Sequence, residues 1–147
     1  MISGCTVAET ARGWAGTPFR HQASLKGVGV DCIGLVTGVA DELGFPEAKA
    51  WRSDLNYRGY GRQPEPIKLI RACNEYMDKI SNPTVGDVLL FAFQSLPMHF
   101  GIIVSENPRY IVHAYSPLGH VAEHRMDEKW DRRVVGAYRL RGVAWPP

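Results

Sequence analysis

The hydrophobic period of this chain changes once. From Thr6 to about Ile80, apolar residues recur at helical spacing; from Asp87 to Leu140 they fall in short strand-like blocks. Helices followed by a run of strands read as an α+β architecture, in which N-terminal helices pack on an antiparallel sheet of about five strands. A chain of 147 residues is long enough for one core, so residues 1–147 read as one domain.

The predicted elements are as follows. A short helix runs from Thr6, its cap, to Trp14, with Ala8, Ala11 and Ala15 on one side. Residues 19–30 form a glycine-containing loop. A second helix covers Asp31 to Leu43, with Asp31 as N-cap, because a carboxylate there can accept a first-turn N–H. Gly34 and Gly38 cost about 1 kcal/mol each relative to Ala, and their spacing puts them on one face, where a neighbour can approach closely. Residues 46–66 read as a long loop carrying Trp51, Tyr57 and Tyr60. A third helix runs from Pro66 to Ile80 with Ile67, Ile70, Cys73, Met77 and Ile80 as its stripe. Strands follow at 87–93, 99–105, 110–115, 120–124 and 133–140.

Composition narrows the function classes. The net charge is +2 and the basic residues are scattered, so nothing argues for nucleic acid. The cluster Arg125, Lys129, Arg132 and Arg133 alternates with Asp127, Glu128 and Asp131, as a solvated face does. No stretch is long and apolar enough to insert in a membrane. The N-terminus lacks the basic start and apolar run of a signal peptide, which points to cytoplasmic synthesis. Three cysteines, an odd number, argue against a disulfide framework.

The chemistry concentrates in three residues. Cys32 sits where a glycine loop meets a helix start. There the helix dipole favours the nucleophilic thiolate, and unpaired first-turn N–H groups can receive an oxyanion. His99 and His113 lie on consecutive strands joined by the hairpin loop 105–109. A turn centred on Glu106 places them directly opposite each other, on one face, with Cβ atoms ~5 Å apart. His99 as general base with His113 as its orienter follows the logic of a catalytic triad. Cys32, His99 and His113 could instead hold zinc, or serve only structure. Cys73 reads as core and Cys5 as incidental. His120 and His124 alternate on a weak strand and read as solvent-facing. Trp51, Tyr57 and Tyr60 fit loop packing or contact with sugar or peptide.

The ordered blocks Gly16-Thr17-Pro18-Phe19-Arg20, Val30-Asp31-Cys32-Ile33-Gly34-Leu35-Val36, Gly86-Asp87-Val88-Leu89-Leu90-Phe91, His99-Phe100-Gly101-Ile102-Ile103 and Ile111-Val112-His113-Ala114 resemble the NlpC-type papain-like cell-wall peptidases. Residues 17–39 look closest to the phage-tail and gene-transfer-agent branch of that family. The resemblance implies a papain-like fold, Cys32 as nucleophile, His99 as base and His113 as the third, orienting residue. It implies cleavage of peptidoglycan stem peptides, typically at the γ-D-glutamyl to diaminopimelate amide, without metal or organic cofactor. It also implies phage tail proteins as partners and a virion or phage-like particle as the vehicle to the cell wall. Around the nucleophile, Asp31, Phe19, His21 and Ile33 are the candidate substrate-binding residues. Phe19 replaces the usual tyrosine, with His21 close by as a substitute donor, and Ile33 replaces the usual serine. An amidase or acyltransferase built on the same residues, or a tail component without turnover, remains open on the sequence.

Overall fold

A computed structural model describes residues 1–54 and 65–144. The first helix, α1 (Gly4–Arg12), begins earlier than its apolar spacing suggests, because Ser3 and not Thr6 is the cap. The Ser3 hydroxyl accepts the Thr6 N–H at 3.1 Å. Val7, Ala8 and Ala11 face inward, while Ala15 lies beyond the helix and is exposed. The expected loop that follows contains a two-stranded ribbon, β1 (Ser24–Leu25) and β2 (Gly29–Val30).

Helix α2 (Cys32–Glu42) forms where predicted, with Asp31 extended at its N-cap and accepting the Gly34 N–H at 2.7 Å. Every residue from Cys32 to Ala40 is buried, which accounts for a sequence apolar on most sides. The two glycines of α2 serve close approach. A Cβ on Gly34 would collide with the Ala23 carbonyl, and one on Gly38 with the Trp14 ring. Their absence lets the 20s ribbon lie on the start of α2.

Residues 46–66 are not simply loop. Pro46 opens helix α3 (Pro46–Ser53), where its fixed φ suits the first turn. Phe45, Ala48 and Trp51 recur every third residue and are buried. Trp51 stacks on Tyr76 with ring centroids 5.5 Å apart, which settles its role as packing. Tyr57 and Tyr60 lie outside the described residues. Helix α4 (Pro66–Tyr76) ends four residues before the predicted Ile80, because Met77 turns into strand β3 (Met77–Lys79) and pairs with Leu140. That switch of period moves the buried stripe to Leu69, Ala72, Cys73 and Tyr76. Ile67 is 71% exposed and Ile70 36% exposed, contrary to the stripe read from spacing.

The strands are β4 (Val88–Phe93), β5 (Leu96–Ser105), β6 (Tyr110–Tyr115), β7 (His120–Arg125) and β8 (Val134–Leu140). With β3 they make a six-stranded antiparallel sheet ordered β3-β8-β4-β5-β6-β7. The extra edge strand is the one hidden inside the expected third helix. A buried pair, Asp87 with Arg139, ties β4 to β8 through two bonds of 2.7 Å. The two faces of the sheet differ. Phe100, Ile102, Val104, Val112 and Ala114 face the helices in the main core. Leu89, Phe91, Ile103, Ile111, Met126 and Ala137 form a smaller cluster on the opposite face. Helix α5 (Glu128–Arg133), capped by Asp127 accepting the Trp130 N–H at 3.0 Å, packs Trp130 onto that cluster.

Candidate active site

The site is built where the start of α2 meets the β5 strand. Cys32 and His99 line one cavity of about 650 Å³, together with Phe19, His21, Asp31, Met98, Phe93, Tyr115 and Arg133. The Cys32 sulfur lies 4.0 Å from the carbonyl oxygen of Met98, the residue before His99. The thiol is held neutral. Burial, and then the Asp31 carboxylate, push it up to about 12, against the opposing pull of the backbone N–H groups of Phe100, Ile33 and Cys32.

Asp31 has a structural task. Its Oδ1 accepts the Gly34 N–H and its Oδ2 accepts the Gln22 N–H at 2.8 Å, so it caps α2 and pins the loop before it. Phe19 and His21 reach the cavity wall from that loop. Ile33 does not: it is buried in the main core and lies outside the residues lining the cavity.

The two predicted histidines meet, by a register different from the expected one. Ile102 pairs with Val112 and Ile103 with Ile111, which carries His113 opposite Gly101, not His99. The slip is of two residues, so face parity survives and both imidazoles stand on the face away from the main core, the one covered by α5. Gly101, opposite His113, presents no side chain between the two imidazoles. A Cβ there would sit 3.0 Å from the Phe91 ring and 3.6 Å from the His113 Cβ. Over that gap His99 Nε2 and His113 Nδ1 approach to 2.7 Å. Nitrogens facing each other at that distance are hydrogen-bonded; they do not share a metal ion, whose tetrahedral ligands stand farther apart.

The chain of contacts continues to a residue the sequence reading left in solvent. His113 Nε2 lies 2.7 Å from His124 Nε2, and His124 Nδ1 lies 2.8 Å from the Arg125 carbonyl oxygen. His124 is only partly exposed, and it shares the outer face with His113 because β7 pairs antiparallel with β6. The alternation read from the sequence left His124 in solvent, because the spacing on β7 carries no sign of His113 on the neighbouring strand. Trp130 covers the group, with its ring 5.0 Å from His113 and perpendicular to it, and 5.4 Å from His124 and tilted.

The carbonyl at the end of this row fixes every proton in it. A carbonyl only accepts, so His124 Nδ1 donates, and in the neutral ring its Nε2 accepts. His113 Nε2 therefore donates and its Nδ1 accepts. His99 Nε2 in turn donates, which leaves Nδ1 of His99 as the bare lone pair. Burial, followed by the positive charge of Arg133, pushes His99 down to about 3, and burial likewise pushes His113 down, so both rings rest neutral.

Arg133 corrects the expectation of a solvated face. Arg132 does pair with Glu128 in solvent. Arg133 instead turns inward, with its guanidinium carbon 4.8 Å from the Phe93 ring centre and 4.7 Å from that of Trp130.

The fold is that of NlpC/p60 domains. The NlpC/p60 domain of the peptidoglycan hydrolase SagA superposes with a TM-score of 0.59 at 16% identity, over 95% of this chain and all of that one. A lipoprotein-like protein of the NLP/P60 family from Staphylococcus aureus subsp. aureus Mu50 gives 0.59 at 17% identity, over 93% of this chain and 41% of its own length. No protein-family model and no curated protein matches the sequence. The chain is thus α+β with the architecture of NlpC/p60 domains.

Proposed function

We propose that the protein is a cysteine hydrolase that cleaves amide bonds in peptidoglycan stem peptides. The observation that carries the reading is one cleft holding the Cys32 thiol and a buried His99 whose second nitrogen is already engaged by His113. In acylation, Cys32 attacks the amide carbon as His99 Nδ1 takes the thiol proton. His99 then gives that proton to the leaving amine, and water releases the acyl group. The backbone N–H groups at the start of α2 that face the sulfur are suited to the oxyanion. His113 offers its Nδ1 lone pair to the imidazolium, and His124 keeps that lone pair free by accepting the other His113 proton.

The substrate class rests on the likeness in fold to a peptidoglycan hydrolase domain and on the ordered motifs around Cys32, His99 and His113. Within it, the γ-D-glutamyl to diaminopimelate amide is the proposed bond. The sequence of residues 17–39 further supports a phage- or prophage-derived particle as carrier. Incubation with purified peptidoglycan and mass spectrometry of the soluble fragments tests the reading. New stem-peptide fragments from wild type and none from Cys32→Ala support it. No fragments from either protein, across substrates of different stem chemistry, contradict it. One observation favours the rival of a structural tail component: Phe19 lines the cavity without the hydroxyl of the usual tyrosine. Alkylation of Cys32 that is slowed by His99→Ala would count against that rival, and it would leave an amidase or acyltransferase use of the same pair to the substrate assay.

A further inference from the structure

We infer that Arg133 forms a subsite for a carboxylate on the substrate, set beside the Cys32–His99 pair. The inference rests on the hydrolase reading and names a group that its substrate must carry. Arg133 is half-buried and lines the cavity that holds Cys32 and His99. Its guanidinium is flanked by the rings of Phe93 and Trp130, at 4.8 and 4.7 Å. The two rings stand at 84° to each other with centroids 5.9 Å apart, so the contacts fix where the cation sits, and among the described residues no hydrogen-bond acceptor meets its N–H groups. Among the described residues no carboxylate pairs with it: the ion pair on its own helix joins Arg132 to Glu128, and across the cavity both Asp31 oxygens accept backbone N–H groups.

The position of the charge is also informative. The Phe93 ring lies 5.8 Å from the His99 ring and 4.8 Å from the Arg133 guanidinium, so base and cation share one aromatic neighbour. Arg133 opposes the positive charge that His99 acquires during acylation. A substrate carboxylate seated on Arg133 would cancel that penalty. The same contact therefore selects an anionic substrate and restores the basicity of His99 once it is bound. A guanidinium fork matches a carboxylate through two bonds, which a neutral amide cannot equal.

The test uses Cys32 itself as reporter. Iodoacetate and iodoacetamide react identically, the sulfur displacing iodide, and differ in one carboxylate. Their rates on the intact protein are measured in parallel, and the ratio is compared between wild type and Arg133→Met. Effects of the substitution on the thiol or on His99 enter both rates and cancel. The subsite predicts a ratio lowered by about tenfold in Arg133→Met and partly restored in Arg133→Lys. Raising the salt concentration on wild type alone should depress the iodoacetate rate and spare the iodoacetamide rate, a reading that needs no variant. An unchanged ratio in Arg133→Met, or equal salt sensitivity of the two reagents, overturns the subsite. Because neither reagent is a peptide, the expected ratios would hold even if stem peptides are not cleaved, and the two failures are distinguishable. If cleavage is seen, kcat/KM should fall for stem peptides whose free carboxylates are amidated, and Arg133→Met should erase that difference; a difference that persists in Arg133→Met counts against the subsite.

Discussion

The two halves of the site are held in opposite ways. Cys32 is positioned by its neighbours in sequence: Asp31 caps α2, Gly34 admits the Ala23 carbonyl, and the helix then lies in the main core. The histidines are positioned by strands distant in the chain. His99, His113 and His124 come from β5, β6 and β7, and meet on the face of the sheet that the main core does not use. A local cap and a long-range register fail differently, since a cap costs a turn of helix whereas a lost register separates the imidazoles entirely.

The largest effect should come from the shared edge of the two halves. His99→Ala should lower kcat/KM on stem peptides by on the order of 1000-fold or more with KM little changed, because it removes the base and not a binding contact. A comparable loss carried by KM would move His99 to substrate binding.

Next comes the far end of the row. His124→Leu should lower kcat by roughly tenfold to a hundredfold, since His113 is then free to adopt the other tautomer. His124→Gln, whose amide oxygen can accept the His113 proton, should recover part of the loss. Equal kcat in wild type and His124→Leu would confine the working unit to Cys32, His99 and His113.

The histidine half should also make the fold sensitive to acid. Both buried rings have folded pKa values below the unfolded value, so the unfolded chain binds more protons as pH falls. Their contribution is whole above about pH 6.5 and shrinks toward the folded pKa of His99 near 3, by up to about 1.4 kcal/mol per pH unit for each ring. Denaturant midpoints between pH 7 and 4 measure it. His113→Asn should flatten the slope, and an unaltered slope would remove His113 from the account.

The smallest effect belongs to the cap. Asp31→Asn should cost about 1 kcal/mol of stability, since an amide oxygen still accepts one N–H. It also removes the carboxylate that raises the thiol pKa, so alkylation of Cys32 at a fixed pH should quicken. Slower alkylation would show that the cap acts on the sulfur mainly through helix geometry.

The same contrast explains what could be read before the fold was seen. Asp31 as cap, Cys32 as first helical residue and the close approach at Gly34 and Gly38 are short-range facts, and spacing alone revealed them. The shared face of His99 and His113 was anticipated too, and it survived because the net slip between β5 and β6 is an even number of residues. The register was not: the hairpin turns between Ser105 and Tyr110, beyond a turn centred on Glu106, and the irregularity between Ile103 and Ser105 takes back only one position, which leaves Gly101 in the place given to His99. His124 was missed for the same reason: on its own strand it looked like any alternating polar residue. Arg133 was misread because interleaved charges mark a solvated helix, and the last residue of a short helix can turn to the other side. In α4, the apolar residues continue at helical spacing past Tyr76 although the backbone has become a strand; there pairing with β8 overrides the pattern.

The row of donors and acceptors is the central claim, and nitrogen NMR of the three imidazoles tests it most directly. With 15N-labelled protein at neutral pH, the claim predicts the proton on Nδ1 of His124, on Nε2 of His113 and on Nε2 of His99, with Nδ1 of His99 bare. Protonating His124 would make its Nε2 a donor and reverse the row. Finding the proton of His99 on Nδ1 in the resting protein would contradict the account, because that nitrogen could then not take the proton of Cys32.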